Sequence, residues 1–288
     1  MTPALPALIA VIGPVEPVLL TAWATHYRAL GITDFRLAFH FPDHVPDAWR
    51  DELLATAHEL GIVPATVSTG PWHEHTNTAL RDALREQAGP GWHLLADSDE
   101  LQTFPAPLAE VTATAEKKGR VVVGGLMLDR VAADGRLAHW RPETGLDRAF
   151  PLGGHLTHRL LRGDPRKVVL ARSGIPVASG NHRAPGHKSD PDALACVHHF
   201  KWRSGVLDDL RRRVDCFTSG AWAEQSPAVR DEAGRLLDHV DRHHGRIDVA
   251  DPRLGFRRVT LDGLPAGWPA EARGIVTRWR PPAANSRR

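Results

Sequence analysis

The chain has 288 residues, 42% of them hydrophobic, enough to bury one large core with at most a small appendage. Its 36 basic and 34 acidic residues leave a formal net charge of +2, which excludes nucleic-acid binding driven by bulk charge. Two cysteines, Cys196 and Cys216, form no C-x-x-C pair, so reduced thiols in a cytoplasmic protein are expected, and no run of about 18 apolar residues predicts a membrane span.

The opening "MTPALPALIAVIGP" lacks a basic stretch and is interrupted by Pro3, Pro6 and Pro14, which predicts a disordered lead-in to a first strand rather than a signal peptide. From there strand and helix alternate. "ALIAVIG" (7–13) reads as a strand buried on both faces, and 17–31 as a helix opened by Pro17 and stopped at Gly31. Residues 34–41 read as a strand, 46–61 as a helix, 62–69 as a strand, 75–89 as a helix, and "WHLLADSDE" as a fourth strand. Such alternation predicts βαβ units and an α/β fold with a mainly parallel central sheet and flanking helices. Further on, a helix is expected over 107–119 and a strand over 120–131. Irregular chain follows to about 165, then a strand pair over 166–174 and 175–183, and another strand over 193–202. Helices over 204–217 and 226–244 complete the pattern. The expected domains are 1–220, a helical extension over 221–280 packed on it, and a disordered tail over 281–288.

The stretch "GWHLLADSDELQTFP" (91–105) poses the central question, because an apolar strand runs straight into Asp97, Asp99 and Glu100. Carboxylates this close repel and raise one another's pKa. A cation would relieve them. Asp-x-Asp at a strand end suits Mn²⁺ or Mg²⁺, which also take oxygens from a diphosphate. A solvated, capping role for the aspartates is the alternative. In parallel sheets ligands bind beyond the carboxyl ends of the strands, where this cluster lies.

Three segments resemble family 2-like glycosyltransferases with a GT-A fold. "WHLLADSDELQTFP" is similar to that family's W-x-x-x-x-D-x-D-E stretch, "KVVLARSGIPVASGNH" to its Lys-led strand pair ending in His, and "VHHFKWRSGVLDDLRRRV" to its H-Y/F-x-x-[KR]-S strand and following helix. The resemblance spans residues 8 to about 215 and implies a metal-dependent transfer of sugar, with inversion, from a nucleotide-diphosphate donor to a small-molecule or glycan acceptor. It implies that Asp97 and Asp99 hold the metal, and His198 is the candidate third ligand. Donor-binding candidates are Gly13 and Glu16 in "GPVEP", His40, Arg81, Asp97 and Lys167, with Lys201 as a further cation for the diphosphate. Glu100, His182 and Asp190 are the candidate catalytic groups. The family's R-N-E and S-x-D-G-T stretches are replaced here by "GPVEP" and "FPDHVPDAW". That keeps two other readings open: nucleotidyl or phosphoryl transfer, and a member that binds a glycan or nucleotide without turnover.

The 17 histidines are clustered in places. Period-2 alternation in "LACVHHF" separates His198, on the face of Cys196 and Phe200, from His199, on the face of Val197 and Lys201; the first of these is expected to face the cleft. His239 and His243, four apart on a helix, fit a solvated helix end better than a zinc pair. Among aromatic residues at loops or strand ends (Trp72, Trp140, Trp202), Trp140 is the candidate for stacking on an acceptor sugar.

Overall fold

The computed structural model describes residues 5–71, 74–223 and 227–280. Trp72 and the tail over 281–288 lie outside them. The elements in chain order are β1 (Ala7–Ile12), α1 (Pro17–Ala29), β2 (Phe35–Phe41), α2 (Asp47–Glu59), β3 (Thr66–Thr69), α3 (Glu74–Ala88), β4 (Trp92–Leu95), β5 (Glu100–Thr103), α4 (Leu108–Lys117) and β6 (Val122–Val131). There follow the short α5 (Leu146–Ala149), β7 (Leu152–Gly154), the short α6 (Leu156–Arg159), β8 (Arg166–Arg172), β9 (Ala195–His199), α7 (Val206–Ser219), α8 (Ala228–Arg242), β10 (Arg257–Arg258) and α9 (Trp268–Arg278).

The strands form one ten-stranded sheet in the order β10-β7-β6-β8-β4-β1-β2-β3, with β9 joined to β6 and β5 to β9. The pairings set the directions: β5, β7 and β8 run against the other seven. The fold is therefore α/β with a mainly parallel sheet, as the alternation predicts. β1 explains how both faces are covered. Leu8, Ala10 and Ile12 pack with Leu19, Leu20 and Trp23 of α1 and Leu53 of α2, while Ile9 packs with Leu84 of α3 on the other face. α1 ends where Gly31 takes φ +90°, a left-handed turn that an L side chain rarely adopts.

The connection order matters most for function. β1, β2 and β3 step outward in one direction, and the chain then returns through α3 to place β4 on the other side of β1. The boundary between β1 and β4 is thus the switch point where an open α/β sheet leaves a crevice.

Two expectations fail here. Residues 175–183 form a loop containing a 3₁₀ turn at Ser179–Asn181, not the second strand of a pair. Gly180 and Asn181 both take positive φ, 66° and 59°, which interrupts an extended strand. The chain after Asp99 also starts a separate strand, β5, antiparallel to β9.

Candidate active site

The charge question at the end of β4 is answered from within the chain. Lys167, the second residue of β8, points its ammonium at both nearby carboxylates: Nζ lies 2.7 Å from Asp97 Oδ2 and 2.6 Å from Glu100 Oε1. Its third donor goes to the carbonyl of Gly180 at 2.9 Å. An ammonium has three donors, so Lys167 is saturated. The other oxygen of Asp97 accepts from Asn181 Nδ2 at 3.2 Å, and Glu100 Oε2 accepts from the Asp97 backbone N–H at 3.3 Å. α1 fixes the turn from behind. Trp23 and Tyr27, four apart on one helix face, donate to the carbonyls of Asp97 and Glu100 at 3.1 and 3.0 Å.

The pairing sets the protonation states. Burial alone would lower Lys167, but Asp97 and Glu100 hold it above its ordinary value. Burial, then the neighbouring Asp97, push Glu100 up to about 7 against the pull of Lys167. For Asp97 burial works upward, but Lys167 outweighs it and keeps the carboxyl below its usual range.

These groups line a cavity of about 600 Å³ at the carboxyl ends of β1 and β4. Ile9, Ala10 and Val11 form its floor on the β1 side, while Thr157, Leu161, Trp202, Val229 and Trp279 contribute from the later elements. Of the predicted residues, Arg81, Asp97, Glu100, Lys167, His182 and Lys201 line it together. Arg81 spends all five N–H donors at once, on Asp82, Asn181 and the carbonyls of Val177 and Ala178. It anchors the loop before His182 and has no donor left for a ligand. His182 Nδ1 donates to the Arg166 carbonyl at 2.8 Å, since that oxygen can only accept, and Nε2 keeps its lone pair. Burial, then Lys167, push this imidazole down to about 4. Three other cations, Arg162, Arg183 and Lys201, line the cavity; Lys201 lies over the Trp202 ring, 5.3 Å from its centroid, and burial lowers its pKa while Asp99 and Glu232 pull it up.

The remaining predicted residues lie elsewhere. Gly13, Glu16 and His40 do not line the cavity; Glu16 pairs with Arg203 at 2.7 Å, and His40 Nδ1 meets Ser68 Oγ at 3.0 Å. Asp190 is held by Lys118 at 2.5 Å beside a separate small cavity under α4. Trp140 is buried in the main core, where no acceptor can stack on it. His239 is a helix-end group but buried rather than solvated, its Nε2 accepting from the Asp248 backbone N–H at 3.0 Å.

His198 requires a correction. The alternation of β9 is as expected, but the cleft-facing member is His199. His198 is fully buried on the other face: Arg130 Nη1 donates to its Nδ1 at 3.1 Å, so its Nε2–H meets Thr103 Oγ1 at 3.3 Å. Burial, then Arg130, hold it well below its ordinary pKa. The signal in the sequence was Lys201, which marks the face of His199 as the polar one. In the sheet His199 stands in register between Glu100 of β5 and Asp129 of β6. Its Nδ1 lies 2.9 Å from Asp129 Oδ1 and its Nε2 3.7 Å from Asp99 Oδ2. Burial would lower this imidazole, but Asp99 and Asp129 raise it. Sequence reading also missed Asp129, although a carboxylate inside the apolar strand "VVGGLMLDRV" demands a buried partner.

Among the described residues, no three His, Cys, Asp or Glu side chains converge as a ready-made metal site. Asp99, which is not among the residues lining the cavity, and His199, which is, form an oxygen–nitrogen pair at the strand end that Lys167 does not touch.

The sequence matches no protein-family model and no curated protein. Among solved structures it is similar to TarS 1–349 of S. aureus, solved alone and in complex with UDP, each with a TM-score of 0.33 and 12% identity over 85% of this chain and 77% of that one. It is also similar to a putative glucose-1-phosphate thymidylyltransferase from Bacillus anthracis in complex with a sucrose, with a TM-score of 0.26 and 10% identity over 82% of this chain and 84% of that one. At these values the likeness defines neither the fold nor an activity.

Proposed function

We propose that the chain is a glycosyltransferase. It takes a nucleotide-diphosphate sugar in the cleft between β1 and β4 and passes the sugar to an acceptor hydroxyl with inversion. One observation carries this reading: the division of charge at the end of β4. Lys167 internally neutralises Asp97 and Glu100. That leaves Lys201, Arg162 and Arg183 in the cavity to meet the phosphates, and His199 at its wall, with Asp99 beside it, to meet a cation.

Asp99 and His199 would hold Mn²⁺ or Mg²⁺ as one oxygen and one nitrogen donor. Asp97 is the weaker candidate ligand, because Lys167 already neutralises its charge and Asn181 holds its other oxygen. His198 faces away. When bound, the ion supplies positive charge where the diphosphate departs. In the transfer itself, the acceptor hydroxyl gives its proton to His182 Nε2. Its oxygen attacks the anomeric carbon opposite the diphosphate, and the bond from that carbon to the diphosphate oxygen breaks. Lys201, Arg162 and Arg183 hold the phosphates as charge develops on them. Glu100 remains with Lys167 and shapes the turn.

Mass spectrometry of products from a panel of UDP-, GDP- and dTDP-sugars tests the reading. A glycosylated or hydrolysed sugar with free nucleoside diphosphate supports it. Transfer of the nucleotide supports nucleotidyl transfer instead, and binding without product supports a non-catalytic member.

A further inference from the structure

Asp129 is completely buried in β6 and carries a full complement of donors. Its Oδ1 accepts from His199 Nδ1 at 2.9 Å, Trp202 Nε1 at 2.8 Å and Thr157 Oγ1 at 2.8 Å, and its Oδ2 accepts from the Thr157 backbone N–H at 2.7 Å. Among the described residues neither Lys nor Arg pairs with it, and its ion-pair partner is His199. Four donors hold a carboxylate in its ionised, acceptor-only form. The hydrogen on the His199–Asp129 contact therefore belongs to Nδ1. In the neutral ring the lone pair is then on Nε2, the nitrogen that faces Asp99 Oδ2 across 3.7 Å. The register of β6 with β9 makes this possible, since Asp129 and His199 are direct partners on neighbouring strands with both side chains on one face.

We infer that Asp129 is a positioning residue: it fixes the tautomer and ring orientation of His199, so that Nε2 and the Asp99 carboxylate together take a divalent cation. The inference rests on the metal reading given above. A carboxylate behind a ligating imidazole orients the ring and raises its basicity, and losing it typically weakens metal binding about 10–100-fold. A carboxylate that merely ties β6 to α6 and to Trp202 would have no such link to the ion.

The test is Mn²⁺ binding by the full chain, read from the electron paramagnetic resonance signal of free Mn²⁺, with and without UDP. Asp129→Asn is expected to weaken Mn²⁺ about 10–100-fold. In a His199→Ala background the same change is expected to do nothing further, because the ring it positions is gone. Wild-type affinity in Asp129→Asn overturns the inference, and so does an equal loss in both backgrounds, which would mark general damage. If thermal melts show that Asp129→Asn does not fold, Thr157→Val takes its place. It removes one donor from Oδ1 and is expected to give a smaller loss that again vanishes in His199→Ala; an unchanged affinity overturns the inference. A wild-type chain that binds no Mn²⁺, with or without UDP, overturns the metal reading itself and this inference with it.

Discussion

Lys167 and Glu100 are each only 3% exposed at their side chains, whereas Asp97 is 44% exposed toward the cleft. The two halves of this ion triad therefore differ in weight. Removing one partner of a buried pair strands the other charge and typically costs about 3–5 kcal/mol, while a solvent-facing pair contributes about 1 kcal/mol or less. Lys167→Met should lower the melting temperature severely, and Asp97→Asn only slightly; equal small effects would show that the triad is not dry. Glu100 adds a pH dependence. Its carboxyl moves from 4.5 to about 7 on folding. Between those values the folded chain keeps a proton that the unfolded chain has lost, so stability falls as the pH rises through that window. Glu100→Gln removes the titration. Its melting temperature relative to wild type should improve as the pH goes from about 5 to about 7, and a pH-independent difference would refute the assignment. His182 sits at about 4, so as the base it should give an acidic limb in kcat/KM near that pH. His182→Ala should abolish turnover while leaving UDP affinity intact; a limb near pH 6–7 that survives the substitution would send the search elsewhere. That Asp97, Glu100, Lys167 and His182 gather at one cleft was legible from their place in the sequence. That Lys167 pairs with both carboxylates at once was not, because a strand's period does not say which carboxylate its lysine will meet.

The loop after β8 is the element on which the site's shape depends. "IPVAS" alternates like a strand, but its backbone carbonyls serve a different partner. Val177 and Ala178 offer theirs to Arg81 on α3, and Ile175 offers its own to Arg85 one turn further on. A strand would spend these groups on a neighbour. With the loop pinned, left-handed Asn181 can reach both Arg81 and Asp97. Arg81→Lys keeps the charge but has no planar fork to hold two carbonyls and an amide at once. Hydrogen exchange should therefore accelerate across 177–183 and not across β1 or β4, and UDP affinity should fall. Unchanged protection in that loop would show that Arg81 is dispensable. The early elements were legible because long, strongly periodic segments alternate with clear stops such as Gly31. β5 was not, because its four residues follow the acidic turn without a break and find their partner, β9, some 95 residues later.

Strand direction decides where the chemistry of the whole molecule gathers. β1 and β4 run parallel, so they end at one edge of the sheet, and the parallel β6 and β9 bring Asp129, His199 and Lys201 toward it with their ends. β8 runs the other way against β4, so it must contribute with its beginning, and Lys167 is its second residue. Five elements far apart in sequence thus converge on one cleft. A ligand that bridges them should stabilise the entire chain, because it binds the folded state alone. At 100 times its Kd a ligand adds about 2.7 kcal/mol, which for a chain of this size is a rise of about 5 °C. UDP with Mn²⁺ should produce a shift of that order in differential scanning fluorimetry. With EDTA the shift should shrink without vanishing, since Lys201, Arg162 and Arg183 still meet the phosphates. A full shift in EDTA would remove the metal from the donor site. No shift with UDP, GDP or dTDP, metal present, would mean that the cleft is not built for a nucleoside diphosphate at all.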